Sequence, residues 1–203
     1  MANKVYNMAG GLHSAAAYAA FEDAIFGSCV ANDESYAVTA GTGMNVVVAP
    51  GNGLISTGTG FARRIASDAN NTVAITAAST ANPRIDAVVA YIDNAVTPTT
   101  TVQDNTNGIL KFKSVAGSPA ATPARPTDSA IQSSVGTGNP FMVLSYVTVP
   151  KNATAISTGT FVDVRKTVQS VFQTGNIQLV LSTTDIGEGA DLPENTLYGV
   201  YED

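Results

Sequence analysis

The stretch NPRIDAVVAYID, residues 82–93, most constrains what this chain can fold into. Proline is tolerated in a sheet only at an edge or at the first residue of a strand, so a strand is predicted to begin at Arg84. Side chains alternate along a strand, and both faces of this one are mostly apolar. A strand of this kind is covered on both sides. Its two predicted faces are Arg84, Asp86, Val88, Ala90 and Ile92, and Ile85, Ala87, Val89, Tyr91 and Asp93.

Two charged residues at the start of this strand need partners, because burying an unpaired charge is costly. A second segment, FVDVRKTV at residues 161–168, places Asp163 and Arg165 two positions apart, on one face. If the two segments pair in antiparallel fashion, Arg84 can meet Asp163 or a near neighbour, and Asp86 can meet Arg165. The sequence therefore predicts a structural network of four ion-paired residues that joins two strands.

The rest of the chain predicts an all-β fold. Only 13% of the 203 residues are charged, and the length allows one large domain or two small ones. SCVA, SYAVTA, MNVVVAPG and LISTGTGFARRI are predicted to be successive strands, with Gly-x-Gly pairs and Asn-Asp sequences as turns. Further strands are predicted at residues 109–117 and 141–149. The fold class expected is an antiparallel β-sandwich or open barrel with one short N-terminal helix and a small C-terminal β appendage.

The helix is predicted from Ser14 to Phe26, with Gly27 just past its end. Tyr18, Phe21 and Ile25 fall on one stripe, which is expected to dock on the sheet or on another subunit. Three prolines between residues 117 and 126 predict an extended connector, and residues 128–134 a short helical turn. The thin helix stripe and the low charge favour a homo-oligomer, for which we expect a trimer.

All of the net charge of −6 comes from the end of the chain. Residues 1–168 contain ten acidic and ten basic residues, whereas residues 169–203 contain six acidic residues and neither Lys nor Arg. The first range is predicted to be the main β domain and the second an acidic appendage of two strands joined by a loop. The excess of negative charge disfavours nucleic-acid binding and favours a basic or cation-bridged partner. The possible interaction segment consists of Asp185, Glu188, Asp191 and Glu194.

The sequence offers little for chemistry. His13 is the only histidine and is expected to have a structural or exposed role, and Cys29 is expected to be a small buried residue. A carboxylate pair of Asp86 with Asp93 or Asp163 is the remaining candidate for glycoside hydrolysis. The acidic loop offers oxygen ligands for calcium but lacks EF-hand spacing. We therefore predict no catalytic residue, no cofactor and no dedicated metal site.

Targeting signals are equally scarce. No window approaches eighteen consecutive apolar residues, which predicts no membrane partner. The first residues are interpreted as mature protein rather than a signal peptide.

Six short motifs occur in a characteristic order: a helix ending at residues 21–27, MNVVVAPGNGLISTG, NPRIDAVVAYID, GSPAATPARP, FMVLSYVTVPKNATAI and FVDVR. Over about residues 8–168 the chain resembles virion proteins from the tail tip, baseplate and receptor-binding region of tailed bacteriophages. Members often continue into long fibre regions, so the shorter chain here favours an adaptor, decoration or short-spike role.

The resemblance implies a structural virion protein that binds itself and other proteins of the tail or capsid. A host-surface glycan-binding module is the alternative, followed by a glycoside hydrolase.

Overall fold

The computed structural model describes residues 15–96, 108–157 and 161–168, together with the strands at 178–182 and 196–200. This part of the chain forms two helices and twelve strands, which confirms the all-β class. The helices are α1 (Ala15–Phe26) and α2 (Asp128–Val135). The first eight strands are β1 (Cys29–Val30), β2 (Val38–Ala40), β3 (Asn45–Val48), β4 (Gly51–Ser56), β5 (Ala62–Ser67), β6 (Asn71–Ala74), β7 (Arg84–Ile92) and β8 (Leu110–Val115). The other four are β9 (Phe141–Val149), β10 (Phe161–Asp163), β11 (Gln178–Ser182) and β12 (Thr196–Val200).

Ten of these strands form three antiparallel sheets. Two sheets have three strands each, in the orders β1-β4-β5 and β2-β3-β6, and the third has four strands in the order β10-β9-β7-β8. Strand β7 is thus an interior strand of the largest sheet, as its apolar sequence predicts. The sheets pack as an open sandwich and do not close into a barrel.

Both faces of β7 are covered. Val88, Ala90 and Ile92 belong to a large core that also contains residues from the two three-stranded sheets. Ala87 and Val89 belong to a second core, which includes α2. The two predicted faces of β7 are therefore confirmed, and the four-stranded sheet is the middle layer. The residues that α2 contributes to the second core are Ile131 and Val135.

Strand β9 contains a bulge that its sequence did not reveal. Val88 pairs with Ser145 but the next residue, Val89, pairs with Val143, so Leu144 is an extra residue on β9. An extra residue shifts the alternation of side chains by one position. As a result, Leu144 and Val147 both point into the large core although they are three positions apart.

Helix α1 ends where the sequence predicts, and Gly27 follows it with φ of +57°. The helix lies against β5, where the Glu22 carboxylate forms an ion pair with Arg64. Its apolar stripe is directed elsewhere: Phe21 is 61% exposed and Ile25 39% exposed. The stripe therefore does not dock on the sheet of its own chain.

The segment LISTGTGFARRI is a hairpin rather than one strand, since β4 and β5 are joined by a turn at residues 57–61. Gly51 and Gly53 were predicted to lie in a turn, and both are strand residues of β4. A Cβ atom on Gly51 would lie 2.5 Å from the Ser35 Cα, and one on Gly53 would lie 2.6 Å from the Cys29 carbonyl oxygen. Glycine is required at both positions because a neighbouring backbone approaches so closely.

Strands β11 and β12 confirm the two predicted C-terminal strands, but they pair in parallel with each other. Within the part of the chain that the structure describes, the two strands pair with each other and join none of the three antiparallel sheets. His13 and the segment of Asp185, Glu188, Asp191 and Glu194 lie outside the described residues.

Within the described ranges, no helix is long and apolar enough to cross a membrane.

Candidate functional site

Arg84 and Asp86 form a buried bidentate ion pair on β7. Arg84 Nε lies 2.8 Å from Asp86 Oδ1 and Nη2 lies 3.1 Å from Oδ2, and the side chains are 5% and 0% exposed. The guanidinium also donates to the carbonyl oxygens of Ala77 at 2.8 Å and Thr76 at 2.5 Å. Asp86 Oδ1 accepts a further hydrogen bond from the Gly117 amide at 3.1 Å. We call this group the Arg84 clamp, because it holds β7, the loop before it and the connector together.

Arg165 forms a second group of the same kind. Its Nε lies 2.9 Å from Asp163 Oδ1 and its Nη2 lies 2.5 Å from Oδ2. Its guanidinium donates to the carbonyl oxygen of Ser35 and, at 2.8 Å, to that of Asp33. Arg165 is 7% exposed, whereas Asp163 is 58% exposed. This Arg165 clamp joins the end of the main domain to the turn before β2.

The predicted network of four residues does not form. Strand β9 lies between β7 and β10, so the two arginine–aspartate pairs are separated by a whole strand. Each arginine instead pairs with the aspartate two positions away in its own segment. The correct signal in the sequence was the R-x-D and D-x-R spacing itself, since residues two apart on an extended chain share a face.

The hydrogen bonds of the two clamps indicate a structural role. A guanidinium has five N–H donors, and Arg84 uses four of them on its aspartate and on backbone oxygens. Asp163 has its pKa lowered, mainly by the hydrogen bond from Arg165. Both clamps therefore fix the positions of loops and have little capacity left for a ligand.

The other candidate side chains are also engaged or buried. Asp93 Oδ2 lies 2.6 Å from Lys111 Nζ, and this bond lowers the pKa of Asp93. Cys29 is fully buried, and burial raises the pKa of its thiol, so it remains protonated. Asp86, Asp93 and Asp163 each bond to a different cation. Among the described residues, no group of three His, Cys, Asp or Glu side chains is placed to hold a metal ion.

A cleft of about 1000 Å³ lies beside α1 and the β1-β4-β5 sheet. Buried apolar residues and charged residues both line this cleft, and Arg63 is exposed. A neighbouring cleft of about 430 Å³ shares Arg63 and Asn94 with it. The described lining of the larger cleft contains no aromatic side chain, so it lacks a stacking platform for sugars. Its principal apolar residues are Cys29, Leu54, Ile65, Ile92 and Leu110, and its charged residues are Glu22, Arg63, Arg64 and Asp93.

The described surface also carries a concentration of exposed apolar side chains. Tyr18, Phe21 and Ile25, which we call the α1 face, are 54%, 61% and 39% exposed. Phe61 is 37% exposed and lines the smaller cleft together with Ala19 of α1. The fifth large exposed apolar residue in the described part of the chain is Val162 on β10. Four of the five therefore lie on or next to one helix.

Comparison with known proteins returned no matching family model, no matching curated protein and no matching solved structure.

Proposed function

We propose that this chain is a non-enzymatic structural protein of a tailed-bacteriophage virion. In this proposal it assembles as a homo-oligomer, expected to be a trimer, in the tail or baseplate region or on the particle surface as an adaptor or short spike. Its partners are other copies of itself and other virion proteins of the tail or capsid, with no nucleic acid and no membrane. The observation that supports self-assembly in this proposal is the exposed α1 face, because contiguous apolar surface of this kind marks a site of protein association.

The polar side chains support a structural rather than a catalytic role. A glycosidase needs one carboxylic acid that stays protonated and a second carboxylate across the substrate. The pKa values of Asp93 and Asp163 are instead both lowered by a neighbouring cation. Asp86 is fully buried beneath Arg84 and the Gly117 amide, out of reach of a polysaccharide.

A host-surface glycan-binding module is the second candidate, and the larger cleft is the observation that favours it. Arg63, Asn52 and Asn94 at this cleft could hydrogen-bond sugar hydroxyl or carboxylate groups. A glycan array separates the two functions, because a structural adaptor should bind no glycan. Arg63→Glu is the matched variant: it should abolish array binding if the cleft is a sugar site.

The direct test is immunogold electron microscopy of purified virions with an antibody against this chain. We expect discrete labelling at the tail, at the baseplate or on the capsid, and unlabelled particles with a pre-immune serum. Particles that lack the chain, although infected cells contain it, would contradict the proposed function.

A further inference from the structure

The spacing of the α1 face matches a helix-packing seam. Tyr18, Phe21 and Ile25 stand at i, i+3 and i+7, which are the a, d and a positions of a heptad. Helices that pack along their length present this pattern to one another, whereas a helix on a sheet buries a broader stripe. Tyr18, Phe21 and Ile25 of α1 are exposed, whereas the small Ala17 is buried at 8% exposure. The seam therefore points away from its own domain.

The charges of α1 leave this seam apolar. The helix has two acidic residues, Glu22 and Asp23, which fall at the e and f positions of the same heptad. Glu22 is only 14% exposed and is bonded to Arg64 of β5. Ala24, at position g, is exposed and small, which allows another helix to approach closely. Two copies of the seam can therefore meet without placing like charges face to face.

The partner that fits such a seam is another helix. Helix α2 of the same chain is not that partner, because its apolar residues are already buried. Ile131 and Val135 of α2 are buried against the four-stranded sheet, at 0% and 6% exposure. A second α1 from another copy of the chain has the matching length and spacing, and its seam is uncharged. An α1 helix of 12 residues is too short to associate on its own, so the surface around it must contribute.

The exposed apolar area on and beside α1 is large enough for the centre of such an interface. With about 200 Å² for an aromatic side chain, the exposed fractions of Tyr18, Phe21 and Phe61 amount to roughly 300 Å². A stable interface buries about 800 Å² on each partner, of which the centre is the most apolar part. The α1 face with Phe61 therefore provides the apolar centre of an interface of ordinary size.

We propose that the α1 face is the self-association surface of this protein, on which the α1 helix of a second copy packs. This inference rests on the proposed function in one respect, that the protein self-assembles. It adds that α1 is the helix through which the copies associate. Contacts between copies then centre on Phe21 and Ile25, with Phe61 at the margin.

Sedimentation velocity at micromolar concentration tests the proposal on the full chain. The parent chain should sediment as a compact oligomer, and the variant Phe21→Glu/Ile25→Glu should sediment as a monomer with an unchanged circular dichroism spectrum. Val162→Glu is the matched control, because Val162 is an apolar residue of 44% exposure on β10, at the edge of the four-stranded sheet. This control should remain assembled. A monomeric parent chain, or a double variant that still assembles, would overturn the proposal.

A cysteine variant keeps the test decisive if the double variant does not fold. In a Cys29→Ala background, Ile25→Cys should form a disulfide between copies under mild oxidation, visible as a dimer on a non-reducing gel. Val162→Cys in the same background should remain monomeric on that gel, and equal cross-linking of the two would count against the proposed surface. If virion labelling fails while these results hold, the proposed function is wrong and the self-association surface stands.

Discussion

At the scale of single residues, the two clamps use the same chemistry in different environments. In each, a guanidinium binds an aspartate two positions away and two carbonyl oxygens of a loop. The Arg84 clamp is buried on both sides, whereas Asp163 of the Arg165 clamp is 58% exposed. Burial rather than geometry should therefore decide how much each aspartate contributes to stability.

Asp86→Ala should lower the free energy of unfolding by about 3 to 5 kcal/mol, because it leaves the buried Arg84 guanidinium without its counter-charge. The matched change Asp163→Ala should cost less, about 1 to 2 kcal/mol, because water reaches the Asp163 side of this pair although Arg165 itself is buried. Urea denaturation of both variants measures the difference. Equal losses would show that burial does not govern the two clamps.

At the scale of elements, the sequence predicts the β-strands well where the pattern of period two is unbroken. The two faces of β7 follow from the alternation of side chains along an extended chain, and the bounds of β9 follow from its apolar run and the proline after it. The bulge at Leu144 could not be predicted, because one extra apolar residue in an apolar strand leaves no mark.

The order of the strands was also hidden from the sequence. Opposite charges on β7 and near β10 suggested direct pairing, but complementarity does not reveal that β9 lies between them. Each arginine also bonds to backbone carbonyl oxygens of a loop. Because every residue type has a carbonyl oxygen, the sequence cannot reveal these partners.

A substitution at Gly117 can test how closely the connector packs against β7. A Cβ atom at this position would lie 2.1 Å from the Ile85 carbonyl oxygen, which belongs to the backbone of β7 and cannot move aside easily. Gly117→Ala should therefore destabilise the protein by about 3 kcal/mol. Gly58→Ala is the control, because Gly58 has φ of +70° but open space around it, so only the backbone strain of about 1 kcal/mol remains. Thermal unfolding measures the difference. A melting temperature of Gly117→Ala equal to or higher than that of Gly58→Ala would contradict the close approach.

At the scale of the whole molecule, the segment after β10 joins two of the sheets. The Val164 amide donates to the Leu144 carbonyl oxygen of β9, and the Val30 amide of β1 donates to the Lys166 carbonyl oxygen at 2.7 Å. Val30 and Thr167 also form a parallel bridge. Residues 161–168 therefore connect the four-stranded sheet to the edge of the β1-β4-β5 sheet.

Two truncations test the predicted boundary after residue 168. A chain that ends at Val168 keeps these contacts and should retain its β-sheet circular dichroism and a cooperative transition. A chain that ends at residue 160 loses the Arg165 clamp and the bridge to Val30, and its melting temperature should fall by roughly 10 °C or more. If the chain ending at Val168 is already unfolded, residues 169–203 belong to the main core.

The bonds from Arg165 to Asp33 and Ser35 span 132 and 130 positions of sequence. A ribosome adds about 5 to 20 residues per second, so the turn before β2 leaves the ribosome on the order of ten seconds before the arginine that secures it exists. Helix α1 is made earlier still, with Phe21 and Ile25 already available. If copies associate through the α1 face as proposed, neighbouring nascent chains on one messenger meet through their helices before either sandwich is complete. The proposed self-association would then begin with the first part of the domain to be translated, whereas the fold of each domain is completed only when Arg165 has been synthesised.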